Sequence, residues 1–196
     1  QDPLGFDPVP LTLDGGGAIN SAFDLALGDL DDDGDVDVVS ANALSDNLTV
    51  FFHTTGALFN LTPVVLGSSA ITDNPRSVCV ADVDQDGDLD IVSANTASHT
   101  VTTFRQVSPG VFSGFPNTIA DATTVTSPRS VVAVDLDGDG DLDLVSANVG
   151  DDAFTVFRQI SPGRFTAAPT IIGGVGLTDD PFALAGADID CDGDTD

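Results

Sequence analysis

The side chains with the clearest chemistry are the aspartates of one short segment. Residues 135–143 read DLDGDGDLD, so five carboxylates fall within nine residues. Like charges at that density repel one another, and a bound cation is the simplest way to compensate them. In an Asp-x-Asp-x-Asp-Gly-Asp-x-Asp segment, the side chains at positions 1, 3, 5 and 9 and the carbonyl at position 7 can surround one hard cation. Ca²⁺ fits better than Mg²⁺, because Ca²⁺ takes six to eight oxygens in flexible geometry.

The acidic segment is repeated along the chain. Its copies begin at residues 29, 82, 135 and 188, each 53 residues after the one before. One such segment could be a solvated acidic turn, but four in register favour a repeated metal loop. We therefore predict one Ca²⁺ per loop, up to four. The predicted ligand positions are Asp29, Asp31, Asp33, Asp35 and Asp37; Asp82, Asp84, Asp86, Asp88 and Asp90; Asp135, Asp137, Asp139, Asp141 and Asp143; and Asp188, Asp190, Asp192, Asp194 and Asp196.

Other kinds of metal or catalytic site fit these loops less well. An EF-hand needs a glutamate at position 12, where this chain has Ser40, Ser93 or Ser146. A transition metal would call for histidine or cysteine, and the loops contain only Cys191. Paired aspartates could act as acid and base, but an active site usually breaks the symmetry of a repeat. We therefore expect structural metal and no enzymatic activity.

The composition limits both the fold and the partners. All 32 acidic residues are aspartate and all 5 basic residues are arginine, which gives a net charge of −27. A helix-rich surface normally uses Glu and Lys, which are absent here, whereas Asp, Gly, Ser and Pro favour turns and Val, Thr, Ile and Phe favour strands. We therefore predict an all-β protein. The acidic surface argues against nucleic acid as a partner and against insertion into a membrane. It suits cations and a secreted or cell-surface location.

The 53-residue period predicts a β-propeller. We expect each repeat to be a four-stranded antiparallel blade, with aligned phenylalanines between blades. The alternative is a β-sandwich built of hairpins, but a sandwich does not require one fixed 53-residue period. The strands predicted in the second copy are 77–81, 91–94, 100–105 and 111–115, with the acidic loop at 82–90 and Pro116 ending the last strand. The aligned phenylalanines are Phe51, Phe104 and Phe157, and Phe6, Phe59, Phe112 and Phe165.

The predicted propeller is partial, with about 3.7 repeats in one segment, 1–196. Four full repeats need 4 × 53 = 212 residues, 16 more than the 196 present. The open edges would belong to an excerpt of a longer propeller, or would pair with other copies of the chain. The predicted divisions are residues 1–20 as the last strand of a preceding blade, blades at 21–73, 74–126 and 127–179, and 180–196 as the first strand and loop of another.

Further motifs give the chain a family resemblance. The acidic loop followed by DLVSAN, FTVF and PGRF resembles the FG-GAP/VCBS repeats, over nearly the whole chain. The resemblance implies Ca²⁺-binding propeller blades like those of integrin α-subunits, with the loop joining the innermost strand to the second. By position, it implies side-chain ligands at Asp135, Asp137, Asp139 and Asp143 and a carbonyl ligand at Asp141. The literal Phe-Gly and Gly-Ala-Pro signatures are absent, which weakens a link to integrin-type ligands.

These features together predict a calcium-stabilised, non-catalytic module for adhesion, scaffolding or extracellular assembly, which could form filaments. The alternative is a lectin-like propeller or an accessory domain of a polysaccharide-degrading enzyme, although the chain has no Trp or Tyr to hold a sugar. Besides copies of the chain, extracellular proteins or glycans are the expected partners. We expect Cys79 in the core, and His53 and His99 at the surface.

Overall fold

The computed structural model describes residues 11–54 and 58–186. In these residues three four-stranded antiparallel sheets follow one another along the chain, which confirms the predicted all-β fold of propeller blades. In each sheet the first three strands are neighbours in chain order, and the fourth pairs with the third. No helix among the described residues is long and apolar enough to span a membrane.

Each blade also contains a short outer hairpin between its third and fourth sheet strands. The first blade consists of β1 (Ala22–Gly28), β2 (Asp37–Asn42), β3 (Asn47–Phe51), the hairpin β4 (His53–Thr54) and β5 (Leu58–Phe59), and β6 (Val64–Leu66). The second consists of β7 (Pro75–Ala81), β8 (Asp90–Asn95), β9 (Thr100–Phe104), the hairpin β10 (Gln106–Ser108) and β11 (Val111–Phe112), and β12 (Asn117–Ala120). The third consists of β13 (Pro128–Val134), β14 (Asp143–Asn148), β15 (Ala153–Phe157), the hairpin β16 (Gln159–Ser161) and β17 (Arg164–Phe165), and β18 (Thr170–Gly173).

The prediction for the fourth strand was wrong. Residues 111–115 were expected in the sheet, but β11 pairs only with β10, and β12 is the strand that pairs with β9. The main chain leaves the sheet after Phe104, because the N–H of Gln106 bonds to the buried carboxylate of Asp90 at 2.8 Å. Pro116 therefore precedes the fourth strand rather than ending it, in a position where its missing N–H costs the sheet nothing.

Apolar side chains pack the blades face to face. One cluster joins Val39 and Val50 of the first blade to Val78 and Phe104 of the second. An equivalent cluster joins the second blade to the third around Phe157. Four of the aligned phenylalanines thus lie between blades, as expected: Phe104 and Phe112 in the first cluster, and Phe157 and Phe165 in the second. Phe51 and Phe59 of the first blade belong to neither cluster, and Phe6 lies outside the described residues. Adjacent blades therefore bury their facing sides against each other.

The first strands of successive blades lie side by side. A side-chain oxygen near the start of each first strand accepts a hydrogen bond from a backbone N–H about one repeat further along the chain. These bonds are Val78 N–H to Asp24 (3.0 Å), Val131 N–H to Ser77 (3.3 Å) and Leu184 N–H to Ser130 (3.1 Å). The first strands are therefore the innermost strands of the blades.

The two ends of the described chain are irregular. Residues 11–20 contain only a 3₁₀ turn, η1 (Gly15–Gly17), which lies close to the ring of Phe51. The strand expected around Phe6 lies outside the described residues. Residues 181–186 form no strand, although Leu184 makes the hydrogen bond that a next innermost strand would make.

Candidate metal centres

Each of the three acidic loops that the structure describes connects the innermost strand of a blade to the second strand and is closed by its first aspartate. That carboxylate accepts two backbone N–H groups of its own loop. The donors are Asp33 (3.2 Å) and Gly34 (2.9 Å) to Asp29, Asp86 (3.2 Å) and Gly87 (3.0 Å) to Asp82, and Gly138 (2.9 Å) and Gly140 (2.9 Å) to Asp135. Three loops with different variable residues therefore adopt nearly the same closed turn.

Two positions of the loop have left-handed backbone. Glycine at position 6 was expected to permit the turn, and its φ is 90°, 98° and 90° in the three loops. Position 4 is also left-handed, with φ of 60° at Asp32, 59° at Gln85 and 73° at Gly138. Sequence reasoning missed position 4, because three different residue types occupy it and only one of them is the glycine that usually signals positive φ.

The loops bring the carboxylates at positions 1, 3 and 5 together. In each of the three loops within the described part of the chain, one oxygen from each of these side chains lies within 4.8 Å of the other two. At position 3, Oδ1 of Asp31 and Oδ1 of Asp84 are buried and accept no hydrogen bond from the described residues. Such oxygens are costly unless a cation binds them. The three groups are Asp29, Asp31 and Asp33; Asp82, Asp84 and Asp86; and Asp135, Asp137 and Asp139.

The aspartate at position 9 lies beside the three-carboxylate groups rather than within them. Asp37 and Asp90 are fully buried at the start of the second strand, outside these three-carboxylate groups. Their oxygens accept backbone N–H groups from both sides: Leu30 and His53 donate to Asp37 at 2.8 and 2.7 Å, and Val83 and Gln106 donate to Asp90 at 3.1 and 2.8 Å. Each oxygen keeps a further lone pair, so a ligand role remains compatible with this structural one.

The predicted carbonyl ligands at position 7 belong to three half-buried aspartates. Their backbone N–H groups donate to the carboxylate at position 5, which orients positions 5 to 7 as one turn. These residues are Asp35, Asp88 and Asp141, at 2.9, 3.0 and 2.9 Å. The fourth predicted loop, with Asp188, Asp190, Asp192, Asp194 and Asp196, lies outside the described residues.

The electrostatics of the loops favour a bound cation. Burial raises the pKa of Asp31, and the neighbouring aspartates raise it further. Burial raises the pKa of Asp84 in the same way, and Asp86 adds to the effect. The pKa of Asp90 is raised to about 7, mainly by burial. A cation held by these oxygens would restore their ionised forms.

Two arginines partly compensate the second and third loops. Nη1 of Arg105 lies 2.8 Å from Oδ2 of Asp84. The corresponding Arg158 contacts Asp137 and lies 3.4 Å from Asp143. Phe52 stands at the equivalent position of the first blade, where His53 instead lies 3.5 Å from Asp35.

The outer hairpin of the next blade covers each of the first two loops. The N–H of Gly110 donates to the carbonyl of Leu30 at 2.8 Å, and that of Gly163 donates to the carbonyl of Val83 at 3.0 Å. The side chain of Asp84 is therefore only 9% exposed, whereas that of Asp137, which no described hairpin covers, is 37% exposed. Adjacent blades thus build each of the first two sites together.

A fourth acidic group, unlike the loops, belongs to a structural corner. Oxygens of Asp152, Asp179 and Asp180 lie within 4.8 Å of one another, and Asp152 accepts the N–H of Asp180 at 3.2 Å. Equivalent bonds run from Asn74 to Asp46 at 3.0 Å in the first blade and from Ser127 to His99 at 2.9 Å in the second. Sequence reasoning missed this corner, because its residue types differ between blades.

The remaining residues singled out in the sequence have mostly structural contacts. Cys79, which was expected in the core, is half-buried and packs against the cluster between the second and third blades. Burial raises the pKa of its thiol to about 12. Both histidines are half-buried rather than plain surface residues: the ring of His53 lies 4.9 Å from that of Phe59, and His99 accepts the corner hydrogen bond. Cys191 lies outside the described residues.

Comparison with known proteins agrees with this architecture. No curated protein matches the chain. Among solved structures, the chain is similar to a crystal structure of BBS1N in complex with ARL6DN, with 15% sequence identity and a TM-score of 0.53. The match covers 87% of this chain and 48% of that propeller-type chain, so this chain spans about half of its length, and the likeness shows the fold alone.

The repeats themselves match a family profile. The FG-GAP-like repeat matches residues 29–93, 82–146 and 135–196. Each match begins at the first aspartate of an acidic loop. Because the matches together span most of the chain, the protein belongs to the family of FG-GAP-like repeats.

Proposed function

We propose that this protein is a calcium-stabilised, non-catalytic β-propeller module of a secreted or cell-surface protein, with a role in adhesion, scaffolding or extracellular assembly. The observation that carries the proposal is the repeated group of three carboxylates in which Asp31 and Asp84 each hold a buried oxygen without a hydrogen-bond partner among the described residues. Buried carboxylate oxygens of this kind are ready-made ligands for a hard cation.

The donor set supports calcium in particular. The three groups offer only oxygens, and no histidine or cysteine belongs to them. The loop is held by its own backbone hydrogen bonds, so its oxygens are oriented before an ion arrives. Four ions would supply +8 and change the net charge from −27 to −19. Ion binding therefore relieves local repulsion while the surface stays acidic, which suits an extracellular location.

The same geometry supports a structural rather than a catalytic role. In the three described loops, the first aspartate accepts two backbone N–H groups, and the ninth accepts an N–H group from the start of the outer hairpin. Carboxylates tied to the backbone in this way stabilise the junction of the first two strands. Their recurrence in successive blades is typical of a structural link between strands rather than of a single active site.

The faces of the blades support a role in assembly. In the first blade, Leu25 and Leu27 are 60% and 62% exposed, whereas the equivalents of Leu25, Val78 and Val131, are buried against a preceding blade. We propose that this face is completed by a further blade, supplied by a longer chain or by a second copy. An extracellular protein or glycan remains the proposed external partner.

Thermal unfolding with and without calcium tests the proposal. We expect the melting temperature to fall strongly when excess chelator replaces Ca²⁺, because the loop carboxylates then repel one another without compensation. Mg²⁺ should restore much less stability than Ca²⁺ does, since it demands stricter octahedral geometry. An unchanged melting temperature in chelator would mean that the loops are solvated turns, and the proposed metal sites would be wrong.

A further inference from the structure

One repeated position near the start of each innermost strand holds a large side chain. Phe23, Arg76 and Arg129 lie at this position on β1, β7 and β13, each 53 residues after the one before. Phe182, a further 53 residues along, lies at the equivalent point of the chain beyond the last described strand. The two arginines are therefore neighbours, with a phenylalanine on either side. None of these four side chains belongs to an acidic loop.

Each guanidinium lies over one of the aromatic rings. The distance from Cζ to the ring centroid is 3.7 Å for Arg76 and Phe23, and 4.7 Å for Arg129 and Phe182. Stacking of this kind fixes the plane of a guanidinium and leaves its N–H edge free to donate. The four side chains line a cavity of about 430 Å³, whose other walls include Val78, Val131 and Leu184.

These arginines lack a carboxylate partner in the described part of the chain. Arg105 and Arg158 form salt bridges to the acidic loops, but neither Arg76 nor Arg129 forms one with a described residue. Nε of Arg76 donates to Asn74 at 2.8 Å. Nε of Arg129 is buried and has no hydrogen-bond partner among the described residues.

One carboxylate also lines the cavity, but it is already engaged. Asp24 accepts the N–H of Leu25 at 2.9 Å and the N–H of Val78 at 3.0 Å, which ties the first innermost strand to the second. It forms no salt bridge with the arginines. The two guanidiniums therefore repel each other in a partly desolvated site, and burial together with Arg129 lowers the pKa of Arg76.

The cavity lies away from the acidic loops. Arg76 is near the start of β7, and the second loop begins at Asp82, after that strand has ended. Six residues of extended chain, at about 3.3 Å each, separate the two by roughly 20 Å. In a chain with a net charge of −27, the innermost strands thus carry the carboxylate loops at one end and an isolated pair of cations at the other.

We propose that this cavity binds an oxyanion, a carboxylate or phosphate group, carried by a ligand with a small apolar body. The anion would bridge Arg76 and Arg129, relieve their repulsion and accept the unused N–H of Arg129. Guanidinium N–H groups match both kinds of oxyanion in fork geometry. The apolar body would contact Phe23, Phe182 and the valine walls, since the cavity is larger than a single ion.

Calorimetric titration of the whole chain with benzoate, phenyl phosphate and inorganic phosphate, in buffer that contains Ca²⁺, tests this proposal. We expect benzoate or phenyl phosphate to bind at millimolar concentration or better, and the tighter of the two identifies the head group. Inorganic phosphate should bind more weakly than phenyl phosphate, because it lacks the apolar body. In Arg129→Gln the affinity should fall by about 10-fold or more, the size expected for a charge-assisted hydrogen bond.

The exposed Arg164 provides the matched control, since it lies on the outer hairpin of the third blade. The affinity of Arg164→Gln should stay within about two-fold of the wild-type affinity, because this variant loses the same charge at a site distant from the cavity. Arg129→Lys, which keeps the charge but loses the fork, should also bind more weakly. Melting temperatures establish that each variant is folded. The proposal is wrong if none of the three probes binds at about 10 mM, or if Arg129→Gln and Arg164→Gln weaken binding equally.

Discussion

The third-position aspartates combine two features that are rarely stable together. Asp31 and Asp84 are half-buried, and each has a fully buried oxygen without a hydrogen-bond partner in the described structure. In Asp84 the contact with Arg105 does not offset burial, because the pKa of the carboxyl is still raised. When no cation is bound, the ionised side chain therefore lowers the free energy of unfolding. A bound cation removes this loss, because it compensates the buried charge.

Asp84→Asn should have opposite effects with and without calcium. In chelator, the variant should be at least as stable as the wild type, because it removes a buried charge; Arg105 is half exposed, so water can replace its partner. In Ca²⁺, its free energy of unfolding should fall below that of the wild type by about 1–3 kcal/mol, because an anionic ligand is lost. Denaturant unfolding in both conditions measures the two differences.

Asp151→Asn is the matched control, since Asp151 is exposed in the turn between β14 and β15 and belongs to none of the acidic loops. It should change stability little in either condition. A loss of stability in Asp84→Asn that is equal in Ca²⁺ and in chelator would show that Asp84 acts through packing alone.

The ninth-position aspartate makes stability depend on pH. The pKa of Asp90 is about 7 in the folded protein and close to its ordinary value of about 4 in the unfolded chain, so the folded state binds the proton more tightly. In chelator, the free energy of unfolding should therefore be highest below about pH 4 and fall as pH rises to about 7. The raised pKa of Asp31, Asp37 and Asp84 acts in the same direction.

Denaturant unfolding between pH 4 and 8, in chelator and about 1 M NaCl to screen the exposed charges, checks this trend. With Ca²⁺ the trend should reverse, because protons compete with the ion for the same oxygens. Stability that is flat across this range in chelator would contradict the assignment of a raised pKa to the buried carboxyl.

At the scale of the loop, the sequence was sufficient for some features and not for others. The spacing of Asp29, Asp31 and Asp33 predicted three carboxylates that converge, because alternate residues and a glycine define a turn within nine residues. It did not show that Gly110 of the next blade would cover the loop, since that contact joins residues about 80 positions apart. Local geometry was predictable, whereas contacts between blades were not.

The hairpin glycine that covers the second loop should not tolerate a side chain. Gly163 has a φ of 67°, and a Cβ there would lie 2.9 Å from Cβ of Asp84. Gly163→Ala should lower the free energy of unfolding by about 1–3 kcal/mol, through strain and displacement of the loop. It should also weaken the binding of Ca²⁺, which calorimetric titration of the ion measures.

Gly114 is a suitable control, because its φ is not in the left-handed region and a Cβ there would meet nothing within 4 Å. Gly114→Ala should leave both stability and ion binding near the wild-type values. If Gly163→Ala bound Ca²⁺ as the wild type does, the hairpin would not be part of the second metal site.

At the scale of the whole molecule, the 53-residue period predicted the order of blades and the apolar layers between them. It predicted them because each blade must bury the same faces, so the core positions recur, as at Phe104 and Phe157. The period could not predict which segment forms the fourth strand, because the outer hairpin also alternates apolar and polar residues and also follows a turn. The buried bond from Gln106 to Asp90, which ends the third strand, is visible only in three dimensions.

The uncovered face of the first blade should make the chain self-associate. Leu25 and Leu27 lie on β1 at positions whose equivalents in the next blade, Val78 and Val80, pack against a preceding blade. Burying two such leucines contributes about 1.5–3 kcal/mol each, so a second copy is an effective substitute for the preceding blade.

In Ca²⁺, the mass measured by sedimentation should therefore rise with protein concentration. The double variant Leu25→Gln and Leu27→Gln should weaken this association by about 100-fold or more, whereas Leu177→Gln, which removes a still more exposed leucine outside the sheets, should not. A chain that stays monomeric at about 100 μM, or an association that Leu177→Gln weakens equally, would show that this face is not an assembly surface.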